Sequence, residues 1–189
     1  MAKVLNNIVT QGLSGLLGNQ IVFRKDKTGR TIVAVKPTFS EDRQLNISQL
    51  THQDAFREAI AYARTAKDET VYIEKAEGTT KSSFNVAVAD WFSQPVVLDI
   101  DKSNWAGQIG QTIRIKATDS VHVSRVHFQI KNQDGTIFEQ GEMVRADGLW
   151  WMYTTTTQAP ISQDTHLTAT AYDLPGNKDM KLWSANYVG

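Results

Sequence analysis

The sequence predicts an α+β chain in which an N-terminal β-hairpin and a small helical block precede a two-sheet β-sandwich. Residues 45–94 repeat apolar side chains at helical spacing, residues 95–189 alternate apolar with polar side chains between turn signals, and Pro95 stands where the pattern changes. Segregation of this kind belongs to α+β chains or to separate helical and β domains. The expected division is a hairpin and helical region over 1–94 and a sandwich over 95–189.

The hairpin is expected from Ile21-Val22-Phe23 and Thr31-Ile32-Val33-Ala34-Val35, both rich in β-branched or aromatic residues, with Lys25 to Gly29 as the turn. Pro37 ends the second strand by removing a backbone donor. Ahead of it, Gly12, Gly15 and Gly18 lack both the preceding strand and the Gly-Lys-Ser/Thr ending of a phosphate-binding loop, so they read as a turning lead-in. Residues 38–47 read as a linker.

Three helices follow. The first is expected to start near Ser48 or Thr51, with Thr51 and Asp54 as a capping box and Ala55, Phe56, Ala59, Ile60 and Ala63 on one face. The second spans about 68–76 and stops at Gly78, and the third opens at Ser82 or Ser83 and buries Phe84, Ala87, Val88 and Trp91. Tyr62, Tyr72 and Trp91 suit core packing better than a stacking platform, because aromatics at helical spacing usually serve the core.

Beyond Pro95, seven strands are expected at 96–100, 112–117, 123–130, 136–140, 149–154, 166–172 and 180–187. Ile113, Ile115 and Ala117 oppose Thr112, Arg114 and Lys116, while Val126, Phe128 and Ile130 oppose Arg125, His127 and Gln129. Asn132-Gln133-Asp134-Gly135 supplies a hairpin turn. Seven short strands in this length fit an immunoglobulin-like β-sandwich.

Composition narrows the function. At 41% hydrophobic and 21% charged, the chain has the means to build a core. Twenty basic and twenty acidic side chains give zero net charge, which argues against nonspecific nucleic-acid binding and mildly favours self-association. The absence of cysteine excludes disulfides and thiolate chemistry. Asn6, Asn7, Thr10 and Gln11 interrupt the opening apolar residues, so neither a secretory signal nor a membrane span is expected there, and the expected location is cytoplasmic, with particle association or non-classical release as alternatives.

Asp119 after the second sandwich strand, the Asn132–Gly135 turn, Trp150 with Tyr153, and Ala171-Tyr172-Asp173-Leu174-Pro175-Gly176-Asn177 together resemble bacterial immunoglobulin-like domains. That resemblance covers about half of the chain and implies a fold rather than an activity. The opening, from Gly12-Leu13-Ser14-Gly15-Leu16-Leu17-Gly18 to Lys36-Pro37, resembles a bacterial family of unknown function, represented in Bacteroidetes, with a Ser-Gly-x-x-Gly element before a hairpin and helices.

Catalytic signals are weak. His52, His122, His127 and His166 lack zinc-site spacing, no Gly-x-Ser-x-Gly elbow occurs, and Asp99 with Asp101 reads as a pair of solvent-facing charges. Calcium is the better metal candidate, with Asp99, Asp101, Asp119, Asp173 and Asn177 at strand ends, although such residues also form turns with their own backbone. Adjacent Trp150 and Trp151 must point to opposite faces of their strand.

The expected role is a non-enzymatic structural or assembly subunit of a filament or phage-like particle, whose partner is a second copy or another protein. Its expected contact residues are Ile21, Phe23, Ile32 and Val33 of the hairpin and Trp105, Trp151 and Trp183 of the sandwich. The alternative is a monomeric carbohydrate- or surface-recognition module using Trp105, Trp151 and Trp183.

Overall fold

The computed structural model describes residues 2–4, 10, 12–26, 28–39, 44–160 and 165–184. The chain divides into two compact units, Met1–Val86 and Ala87–Gly189. The division falls inside the third helix rather than at Pro95.

In the first unit, β1 (Ala2–Val4), β2 (Gly15–Leu17), β3 (Ile21–Lys25) and β4 (Thr31–Val35) form an antiparallel sheet in the order β1-β4-β3-β2. β3 and β4 are the expected hairpin. The glycine-spaced lead-in is itself a strand, with Gly15 opposite Phe23 and Leu17 opposite Ile21. Three residues are too few for alternation to register in sequence. The turn between β3 and β4 is held by Asp26, whose Oδ1 accepts from Thr28 N, Thr28 Oγ1 and Arg30 N while Oδ2 accepts from Arg30 Nε.

Helix α1 (Ile47–Ala66) begins earlier than expected because Asn46 caps it. Asn46 Oδ1 accepts from Gln49 N, and Gln49 Oε1 accepts from Asn46 N, the reciprocal pair of a capping box. The residues assigned that role do other work: Thr51 Oγ1 donates back to Ile47 O, and Asp54 pairs with Arg57. Burial follows a stripe of small residues, Ala59, Ala63 and Ala66, and Phe56 lies outside it at 46% exposure.

Helix α2 (Thr70–Ala76) ends before Gly78, whose φ of +68° reverses the chain. Tyr72 is fully buried, its hydroxyl lies 2.6 Å from that of Tyr62, and the two rings meet edge-on. Both tyrosines are therefore packing residues. Helix α3 (Ser83–Trp91) starts where Ser82 Oγ accepts from Asn85 N, and it buries Val86, Ala87 and Asp90 while Phe84, Val88 and Trp91 are half-buried. No helix among the described residues is long and apolar enough to cross a membrane.

The second unit is the sandwich. One sheet has the order β5 (Val96–Asp101), β6 (Thr112–Thr118), β10 (Trp150–Thr154), β9 (Val144–Arg145). The other has the order β12 (Lys178–Ser184), β11 (Thr165–Tyr172), β7 (Arg125–Asn132), β8 (Ile137–Glu142). All paired strands are antiparallel. The order is that of a constant-type immunoglobulin domain with one strand added beside β7. β9 has no counterpart among the expected strands, since a two-residue strand carries no alternation. The end of the strand expected at 180–187 lies outside the described residues.

Alternation puts Ile113, Ile115 and Ala117 of β6, Val126, Phe128 and Ile130 of β7, and Leu167, Ala169 and Ala171 of β11 in one core. Tyr153 packs on that core 5.2 Å from the Phe128 ring, and its hydroxyl donates to Glu139 Oε1 across the two sheets. Thr156 donates to the same oxygen from both its amide and its hydroxyl. Gly141 makes room for this tyrosine, because a Cβ there would lie 2.6 Å from Tyr153 Cε2.

Two outcomes follow from this packing. Gly141→Ala should destabilise the protein by about 1–3 kcal/mol through overpacking, read as a lower denaturation midpoint with an unchanged slope. Asn177 Nδ2 donates to Trp91 O and Ser93 O, so a segment spanning 82–189 should melt at a higher temperature than one spanning 95–189, while both unfold cooperatively. Equal melting temperatures would mean that this tie adds no stability.

Candidate interaction surfaces

The pleat of the N-terminal sheet sorts its side chains into rows. Leu17, Ile21 and Val35 form one cross-strand row, and Gly15, Phe23 and Val33 form the next on the same face. Phe23 is buried and Val33 half-buried, whereas Leu17, Ile21 and Val35 are exposed by 59%, 37% and 80%. Leu16 is exposed on the opposite face, beside half-buried Val22. Of the expected contacts, Ile21 is available, Ile32 and Val33 are half-covered, and Phe23 belongs to the packing. Sequence reasoning missed Leu16, Leu17 and Val35. The Ser-Gly-Leu-Leu-Gly stretch was the signal for Leu16 and Leu17, once read as a strand, and Val35 lay in the expected second strand of the hairpin.

The sandwich tryptophans correct the expectation. Trp105 and Trp151 are core residues, 4% and 7% exposed. Neither can present a face to a sugar or a protein partner. Trp151 lies opposite Ile115, on the inward side of β6, and Trp150 therefore faces outward, half-buried under Arg114 and Lys116 at 4.6 and 5.8 Å from its ring. Trp183 is half-buried against the core, with Lys102 Nζ 4.4 Å from its ring. Trp105 is pinned by its loop, where Gln111 Oε1 accepts from Ala106 N and Gln108 N.

The five residues proposed for calcium fall into two groups, Asp99 and Asp101 on β5, and Asp119 near the hydrogen-bonded pair Asp173 and Asn177. Asp99 and Asp101 stand on β5 opposite Lys116 and Arg114 of β6, so the i, i+2 carboxylates are matched by i, i+2 cations across the strand pair. Asp99 Oδ1 accepts from Ile100 N, and Asp101 Oδ1 accepts from Ser103 N, the bond that chiefly lowers the Asp101 pKa. Asp119 Oδ2 accepts from Val121 N and His122 N, closing the turn after β6. Asp173 and Asn177 serve the turn between β11 and β12. Asp173 accepts from Gly176 N on Oδ1 and from Asn177 Nδ2 on Oδ2, and Gly176 takes the φ of +98° that the turn requires. Among the described residues, no group of three or more histidines and carboxylates is placed to hold a metal ion.

No family model and no curated protein matches the chain. Among solved structures it is similar to CopC from Methylosinus trichosporium OB3b, with a TM-score of 0.35 and 10% identity over 48% of this chain and 89% of that one. It is also similar to an engineered protein, with a TM-score of 0.36 and 21% identity over 56% of this chain and 27% of that one. At these scores the sandwich rests on its own strand order and core.

A cleft of about 70 Å³ opens between the loop after β6 and the hairpin joining β9 to β10, lined in part by Asp119, His122, Arg145, Leu149 and Trp151. Burial, then the Arg145 guanidinium, lowers the His122 pKa, with the Asp119 carboxylate opposing them. Asp119 Oδ1 is buried there without a hydrogen-bond partner among the described residues. The cavity admits a few waters rather than a sugar ring.

Asp26 provides a pH test of the N-terminal sheet. Hydrogen bonding, first from the Thr28 hydroxyl, lowers its pKa from 3.8 to about 2. A depressed folded value means that the stabilisation is full above 3.8 and is lost as pH falls through about 2. The amide resonances of Thr28 and Arg30 should titrate in that window, and Asp26→Asn should abolish the titration. Unchanged titration in the variant would assign it to another group.

Proposed function

We propose that this protein is a non-enzymatic structural subunit that self-associates through its N-terminal sheet, in the manner of a filament or particle component. One observation carries this reading: a four-stranded sheet with β1 and β2 as edge strands leaves Leu16, Leu17, Ile21 and Val35 exposed. Soluble proteins blunt an edge strand with lysine, proline, a bulge or a covering loop, because an open edge recruits another strand. From Val4 to Phe23 there is no charged residue and no proline, so β2 carries neither of the two sequence safeguards, lysine and proline. The sandwich acts as the body that the sheet links, and its strand order supports kinship with bacterial immunoglobulin-like domains.

The alternative, a monomeric recognition module, loses two of its three proposed contacts with the burial of Trp105 and Trp151. What favours it is the polar cleft beside His122 and Arg145, which suits a small polar group.

Deleting residues 1–19 removes β1 and β2 and should abolish species larger than the monomer while leaving the sandwich folded. Sedimentation of both proteins at equal concentration, with near-ultraviolet circular dichroism as the folding control, checks this. A full-length chain that stays monomeric at all accessible concentrations would sink the assembly reading, and so would a truncation that assembles equally well.

A further inference from the structure

Among the described residues lie three sheets, each with two edge strands, and charge sets one edge apart. β1 carries Lys3, β5 carries Asp99, β8 carries Glu142, β9 carries Arg145 and β12 carries Lys181. β2, Gly15-Leu16-Leu17, alone has no charged side chain, and each of its residues is exposed. A charge on an edge strand discourages another strand from pairing there, so β2 is the edge left able to accept one.

A second copy of β2 fits this edge in register. Set antiparallel about a two-fold axis at Leu16, the two strands place Leu16 opposite Leu16 and Gly15 opposite Leu17. Within one copy Leu16 pairs with Val22 and Val22 with Ala34, so the row Ala34-Val22-Leu16 meets the same row of the other copy. On the opposite face, the exposed row Val35-Ile21-Leu17 runs on into Gly15-Phe23-Val33 of the other copy. Residues that face each other across a strand pair share a side of the sheet, so both apolar rows continue through the junction. Three residues make a short edge, and this arrangement uses all of them.

Like charges stay apart at such a junction. No charged residue lies between Val4 and Phe23, and Arg24 and Lys25 stand on β3, one strand in from the edge. The β3 strands of the two copies are three strand spacings apart, about 14 Å, which exceeds the screening length of about 8 Å at physiological salt. Building on the self-association reading, we infer that the contact is isologous: two copies join β2 to β2, and their four-stranded sheets become one continuous antiparallel sheet. Such a contact closes at two copies, so the pair is the unit from which a filament or particle is built through a second surface.

The axis supplies its own test, because it sets Leu16 against Leu16. Leu16→Lys and Leu16→Glu each put like charges directly opposite one another, and each alone should associate about fivefold or more weakly than the wild type in sedimentation. An equimolar mixture of the two should recover association, since lysine then faces glutamate. Leu16 is exposed, so both variants should fold. The chain has no cysteine, and a single introduced one therefore reports alone. Leu16→Cys should form a disulfide-linked dimer on oxidation, its two Cα atoms standing about 5 Å apart, whereas Leu17→Cys, diagonal to its counterpart at about 8 Å, should not.

If the wild type associates but Leu16→Lys associates equally well, if the mixture fails to recover, or if Leu17→Cys cross-links as fast as Leu16→Cys, the two-fold contact is overturned while self-association stands. A Leu16→Cys protein that cross-links faster to Lys3→Cys than to itself would establish a head-to-tail contact of β2 with β1 instead. A wild type that is monomeric throughout would overturn both this inference and the reading beneath it.

Discussion

Stability of the sandwich depends on one buried layer. Ile113 and Ile115 from one sheet meet Val126, Phe128, Ile130, Leu167, Ala169 and Ala171 from the other, all fully buried. Each large side chain removed from water contributes about 1.5–3 kcal/mol, which only a few such residues need supply before the sum outweighs any single polar contact. The alanines of β11 share this core with the much larger Trp105 and Trp151. Register follows directly, since a slip of one residue would turn Leu167, Ala169 and Ala171 outward and bring His166, Thr168 and Thr170 in.

Polar groups around that layer fix how the strands end. The Asp173–Asn177 turn holds β11 to β12, and the same Asn177 amide reaches the carbonyls of Trp91 and Ser93. A motif that looks like a ligand set in sequence is used to secure a turn and the start of the sandwich. Burial raises the Asp173 pKa, the Asn177 and Gly176 hydrogen bonds oppose it, and the nearby Asp119 carboxylate adds to the rise. Glu139 does comparable work at the other side, where one carboxylate oxygen gathers Tyr153 of the facing sheet and Thr156 of the loop after it.

The N-terminal sheet follows a different logic. Its central strands pack Phe23 and Val33, but the row of Leu17, Ile21 and Val35 remains exposed, and the edge strand β2 is built from glycine and leucine. Apolar exposure on an uncharged edge is what folded proteins ordinarily avoid. The self-association proposed above would cover that row.

Several features were legible in the sequence because they depend on neighbours along the chain. Alternation in β6 and β7 identified the core face, the Asn132–Gly135 turn marked a hairpin, and helical spacing located three helices. Others depended on distance. The cap of α1 passed from Thr51 to Asn46 because Asn46 and Gln49 complete a reciprocal pair one turn earlier, and Trp150 and Trp151 were separable only once β10 was paired in register with β6. Asp99, Asp101, Asp119, Asp173 and Asn177 all lie near strand ends, yet sequence does not say which ends meet or that each carboxylate would be occupied by a backbone amide. Local spacing therefore determined the longer strands, the helices and the turns, but not the short strands β1, β2 and β9. Strand pairing decided which face each tryptophan and aspartate occupies, because a side chain's surroundings are set by residues more than eighty positions away, as in the bond that Val97 N donates to Asp179 Oδ2.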